Sequence, residues 1–410
     1  MFYMLIIFVL VFGRISSLAT PEEVFEWKEL TFAWPNDQAK QSAINEGNYI
    51  AENNLPLGLD RWRNKLFVTV PRWKSGVAAT LGYLPLDEPI NKSASIIPYP
   101  HWKANLLPKG DKATEDTHII SVFRISIDAC DRLWVMDSAL ADILGEPKVY
   151  SNPAILIYDL NTDKLIKKYL LKQEDLKQDS FLANIIVDVP KGECDNAYAY
   201  IPDLGGYGVV VYSLKENDSW RLKHNFFHFD PLHGDFNVGG VNFQWTDGVF
   251  GLALGKPDEN GYRTVYFHPL ASLNEFSVNS AILRNKTLVN DPHIYYEFKL
   301  EGTKGEKSQT SASVFDEKSS TVFLTQLNRD GIACWNTERE LTPENVPVVI
   351  QDSERLVFTN DIKIDTERNL WILSDKMPQF LFRQLDPNEI NYRILKAKVD
   401  DIIKGTKCEA

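Results

Sequence analysis

The chain has 410 residues, 44% hydrophobic and 12% aromatic, enough to bury a large core in one to three domains. Its 44 Lys and Arg stand against 56 Asp and Glu, a formal net charge of −12, which argues against nucleic acid and anionic membranes as partners. Beyond residue 19 no stretch is long and apolar enough to span a bilayer.

Residues 1–19 read as a secretory signal. The apolar run Met4 to Phe12 is too short to span a bilayer comfortably, and Ser17-Leu18-Ala19 offers a cleavage site. Loss of Arg14 with this segment moves the charge to −13. Residues 20–410 are then the mature, secreted chain. Four Cys in such a chain point to two disulfides. Sequons at Asn91, Asn217 and Asn285 mark exposed glycosylation sites.

Val24 to Trp34 alternates apolar and polar residues, as a strand does, and Gln38 to Ala51 is polar with a weak helical pattern. Leu57-Gly58-Leu59-Asp60, a polar turn and Leu66 to Val70 then form the first copy of a recurring unit: apolar strand, Asp, turn, second strand. An Asp suits the turn because its carboxylate accepts from backbone N–H groups just ahead of it. The unit recurs at Asp128, Asp188, Asp247, Asp316 and Asp365, at intervals of 68, 60, 59, 69 and 49 residues. The copy at Asp247, within Phe243 to Leu254, is read with a two-residue turn. Each interval has room for two further strands, such as Ala154 to Asp159, Val209 to Ser213 and Arg263 to Phe267.

Four strands every 50 to 70 residues, six times, predict an all-β fold: a single six-bladed β-propeller with four-stranded blades and a central channel. A large sandwich or two all-β domains is the competing reading, and no Gly/Ser/Pro-rich linker divides the chain to favour it. Starts of inner strands and ends of second strands should meet at one channel mouth. That places Asn54, Asn184, Asn360 and Asp361 there, with Asp137, Asp203, Gln326 and Asp375. The turns and their aspartates belong to the other mouth. Cys130 and Cys194 fall in turns of neighbouring blades and are expected to pair, which leaves Cys334 for Cys408.

In order along the chain, several long blocks resemble the insect yellow and major royal jelly protein family, on the yellow side. They include Lys65 to Trp73, Cys130 to Ser138, Asp235 to Trp245, Tyr266 to Ser272 and Asn369 to Pro378, and the similarity runs from about Val24 to Cys408. The resemblance implies a secreted six-bladed propeller with a role in cuticle pigmentation and melanin metabolism. Some yellow members are credited with converting dopachrome to dihydroxyindole, and salivary relatives bind biogenic amines in the channel. Fold and compartment transfer along such a likeness better than activity does.

Dopachrome conversion needs a base that works near neutrality and a group to stabilise developing negative charge. Asp361 and Asp375 are the candidate bases, with Asp137 and Asp203 beside them, and Lys363 and Lys376 offer cations. The alternative is non-enzymatic binding of dopamine or serotonin, or a structural or signalling role, with Asn184, Asp203, Asn360, Asp361, Asp375 and Met377 as the ligand set. Asn360, Asp361, Asp375 and Met377 match the block that contributes to the amine pocket of the salivary relatives, some of which carry an aromatic residue at the place of Met377. Polar groups that merely satisfy one another around a wet channel are the structural alternative. A third class, a calcium-dependent hydrolase, would use Asn184 and Asp203 as oxygen ligands. No cofactor or resident metal is expected. The expected partner is a small catecholamine or indole derivative, and the oligomeric state stays open. His224, His228 and His233 lack a zinc signature, with His224 and His228 expected on one strand face. Gly239-Gly240 reads as a turn, Ser138, Ser311 and Ser313 lack a nucleophile-elbow context, and Trp134 and Trp371 read as blade core.

Overall fold

A computed structural model of the protein describes residues 18–108 and 117–409. Most of the proposed signal, residues 1–17, lies outside the described residues. Six four-stranded antiparallel sheets form the six blades of a β-propeller. Blade 1 runs Leu59–Trp62, Lys65–Thr69, Leu81–Pro85 and Ile97–Pro98, from the channel outward. Blade 2 begins at Val122–Ile127 and Arg132–Asp137, blade 3 at Ile186–Asp188 and Tyr198–Asp203, and blade 4 at Val249–Pro257 and Arg263–Pro269. Blade 5 begins at Ser313–Asp316 and Thr321–Gln326. Blade 6 contains Phe358–Ile364, Asn369–Asp375 and Tyr392–Lys398, and its outer strand is Glu22–Trp27 from the other end of the chain.

Period two explains the packing. In blade 2, Leu133 and Val135 face the blade 1 seam while Trp134 and Met136 face blade 3. Each of the six seams holds its own apolar cluster, and the one between blades 6 and 1 continues into the channel mouth. No face of a blade is left for water, and this is why second strands such as Arg132–Asp137 are buried along their whole length.

The hairpin turns of blades 2 and 6 repeat in atomic detail. Asp128 accepts from the N–H of Cys130 and Arg132 and from Trp134 Nε1 at 2.7 Å. Asp365 accepts from the N–H of Glu367 and Asn369 and from Trp371 Nε1, also at 2.7 Å. The fourth residue of each turn, Asp131 and Arg368, is left-handed (φ 56° and 59°). Trp134 and Trp371 are therefore core residues with their one polar atom satisfied by the turn.

Asp258 makes the same turn, accepting from Asn260 and Tyr262 N–H, with left-handed Gly261 in the fourth place. Asp258, not Asp247, is the turn aspartate of blade 4, and Arg263–Pro269 is that blade's second strand rather than an outer one. Asp247 belongs to the other mouth. The Asp247-Gly248 pair imitates a hairpin turn, but its backbone accepts from Ala271 and Leu270 N–H and leads into the inner strand. Asp60 differs in another way: its strand continues two residues to Trp62, and its carboxylate accepts from Ile127 N–H of blade 2 at 2.8 Å.

Both disulfides join the expected partners. Cys130–Cys194 links the turns of blades 2 and 3, and Cys334–Cys408 ties the tail to the third strand of blade 5. The remaining seams are bridged at the same mouth by ion pairs and hydrogen bonds: Trp62–Asp131, Arg284–Asp188, Arg263–Glu317, Arg368–Asp316 and Arg61–Asp365. Asn91, Asn217 and Asn285 are all exposed.

Candidate functional site

At the mouth where inner strands begin lies a cavity of about 390 Å³. All six blades contribute at the expected level: Leu57, Phe123, Ala183, Phe250, Ser311 and Phe358 stand at or just before their inner strands. Three insertions cover it. The loop of a short hairpin (Leu140–Ala141, Lys148–Val149) supplies Ile143 and Leu144, and helix Met377–Phe382 supplies Leu381 and Phe382. A second hairpin (Asp235–Val238, Val241–Gln244) leads into Trp245. Its tip, Gly239-Gly240, has positive φ at both residues (56° and 74°), the geometry of a two-residue hairpin turn. The tip's carbonyls accept from Gln379 and Arg383 of the helix region, so the two insertions hold each other in place.

Two aromatic groups face the cavity. Trp73, Phe123 and Phe181 pack edge to face or tilted, with centroids 4.9 to 5.9 Å apart. Trp245 meets Phe358 at 6.0 Å. Among the described residues Asp247 is the wall's one ionisable side chain, and none of them hydrogen-bonds its carboxylate. Burial pushes its pKa up to about 6. The turn assignment hid this residue. Its signal was present in the sequence: the Asp258–Tyr262 turn supplies blade 4 without it.

Of the expected ligand set, Asn360 and Met377 line the cavity. Asp375 lies behind them. It accepts from Asn360 Nδ2 and from Met377 N–H, each at 2.9 Å, and burial pushes its pKa up to about 8. Asp361 is also behind the wall, accepting from Leu59 and Ile362 N–H, with Lys363 Nζ at 3.5 Å. Asp203 accepts from Phe181 and Gly206 N–H and pairs with Arg221 at 2.8 Å. Asn184 donates to Phe250 O and accepts from Ile185 N–H. Asp137 binds three backbone N–H groups, Asn54 caps the turn before blade 1, and Gln326 donates to Thr325 O. Lys376 pairs with Glu389 at 2.8 Å. These groups fasten the loops that shape the cavity.

Among the described residues no cluster of three or more His, Cys, Asp or Glu is arranged to hold a metal. The histidines are apart. His224 caps a 3₁₀ turn instead of lying on a strand, His228 stacks on Tyr207, and His233 pairs with Asp230. A larger opening of about 770 Å³ beside blades 6 and 1 is lined by Arg61, Glu367 and Lys396, whose charges are paired with neighbours. Its other carboxylates, Glu22, Glu88 and Asp401, are exposed to solvent, unlike Asp247.

The family model for major royal jelly protein matches residues 120–408. Protein yellow of Drosophila erecta is 40% identical over 393 residues, 95% of this chain and 70% of that one. The chain belongs to the yellow and major royal jelly protein family. Protein yellow of Drosophila melanogaster shows the same identity and coverage as the Drosophila erecta relative of this yellow-family chain. A luciferin-regenerating enzyme gives a TM-score of 0.47 at 12% identity, over 86% of this chain and 92% of that one, too low to transfer anything to the yellow-family site.

Proposed function

We propose that the channel-mouth cavity binds a protonated aromatic amine of the catechol or indole class, and that the protein is secreted and acts in cuticular pigmentation and melanin chemistry. One observation carries the reading: among the described residues Asp247 is the only ionisable group in a mostly apolar wall rich in aromatic rings. An ammonium in that setting gains a charge-assisted hydrogen bond, while the ligand's ring gains burial worth roughly 25 cal/mol per Å². The signal-like start, two disulfides and three exposed sequons support the extracellular setting.

Conversion of dopachrome is the second reading, and the same residue favours it. A free carboxylate raised to about 6 is a base matched to neutral pH. Against it, no Lys or Arg in the wall answers the substrate's carboxylate. Calorimetry with dopamine and serotonin, beside an absorbance assay of dopachrome loss, separates the two. Amine binding without turnover, lost in Asp247→Asn, is the expected result. Accelerated dopachrome loss abolished by Asp247→Asn would replace binding with catalysis, and neither result would remove both.

A further inference from the structure

Arg124 leaves the inner strand of blade 2 and crosses the channel beneath the cavity. Its side chain is 1% exposed. Nη1 donates to Ser311 O at 3.0 Å and Nη2 to Asn360 O, and the guanidinium carbon is 4.1 Å from the centroid of the Phe250 ring. Blades 4, 5 and 6 thus fix one cation against one ring. Phe250 lines the cavity and Arg124 does not, so a ligand can touch the ring but not the guanidinium.

An aromatic face is negative, and a cation held against it draws π density toward itself. The far face becomes less negative. It then attracts an ammonium less and stacks better with an electron-rich ring. The buried setting strengthens the effect, because little solvent screens the charge. Asp361 forms an ion pair with Arg124, 3.8 Å from Nε, and also accepts from two backbone N–H groups and Lys363, so it offsets part of the cation's charge and leaves the rest to Phe250. We propose that Arg124 acts through Phe250 as a specificity determinant, so that the site selects electron-rich rings, catechols and indoles, over electron-poor ones, seating the ring on Phe250 and the ammonium at Asp247. The inference rests on the amine-binding reading above. Arg124 is a positioning residue here, since it does not touch the ligand.

The test is calorimetry on the full secreted protein with three phenethylamines of one shape and different ring density: 4-methoxy, unsubstituted and 4-nitro. The expected order of affinity is methoxy, unsubstituted, nitro, with about three- to tenfold between the ends. In Phe250→Leu the three should bind within about twofold of one another, and in Asp247→Asn all should weaken with the order kept. Equal affinities in the unaltered protein, which need no variant to read, would overturn the inference while leaving amine binding standing. An order that survives in Phe250→Leu would also overturn it. Absence of binding by all three removes the amine reading and the inference together.

Discussion

Two carboxylates at the channel mouth, one half-buried and one buried, titrate in a range that experiment can reach. Asp247 has a pKa raised from 3.8 to about 6, so it is ionised at pH 7 and becomes neutral as pH falls through about 6. Amine affinity should therefore drop by about tenfold per unit below pH 6, a dependence absent in Asp247→Asn and measured by titration at pH 5, 6 and 7. Asp375 has a different consequence. Its folded pKa of about 8 lies above the ordinary value of 3.8, so the folded state holds a proton that the unfolded chain releases. Stability from this group is full below about pH 4 and is lost as pH rises toward 8. Thermal melts at pH 6 and 8.5 should show a larger fall for the unaltered protein than for Asp375→Asn. Neither titration could be assigned from sequence. The mouth location of Asp375 follows from strand order, but its place behind Asn360 and Met377 depends on how the last helix folds over the opening.

The hairpin is the element that repeats, and its turn carboxylate organises it. Replacing Asp365 with Ala leaves the Trp371 indole N–H, two backbone N–H groups and the Arg61 guanidinium without their acceptor. Unfolding in urea should show a loss of about 2 to 4 kcal/mol. Amine affinity should be unchanged, because the turn lies at the opposite mouth from the cavity. Five of the six hairpins are legible in sequence because alternation and the Asp coincide. Blade 4 breaks the coincidence. Its inner strand is nine residues long and begins directly after an Asp-Gly pair, so local turn chemistry outweighed the later match of Asp258 to Gly261 with the turns at Asp128 and Asp365. The cavity's roof was equally hidden, since its hairpins and helix are insertions outside the four-strand repeat.

At the scale of the whole molecule, six seams close a ring, and the last closure is made by Glu22–Trp27 on Tyr392–Lys398. Phe25 and Trp27 bury themselves in the cluster shared by blades 6 and 1. Removing residues 20–27 deletes this strand together with both side chains and leaves a gap in that cluster. The variant should lose the single cooperative transition and become susceptible to limited proteolysis first in blade 6, while the Cys130–Cys194 bridge keeps blades 2 and 3 joined. Substitutions confined to the turn mouth, such as Arg61→Met, should cost less, since Asp365 loses this cation but keeps its two backbone N–H donors and the Trp371 indole.

The strand that closes the ring also sets a clock. Glu22 pairs with Lys396, 374 residues later (396 less 22), and the chain emerges at about 5 to 20 residues per second. The first strand must then wait roughly 20 to 75 s after its own synthesis for the partner it is destined to join. During that interval blades 1 to 5 can stack in sequence, each on the one before, but the circle stays open with bare strand edges at both ends. The ring closes when the oldest strand is captured by the youngest blade.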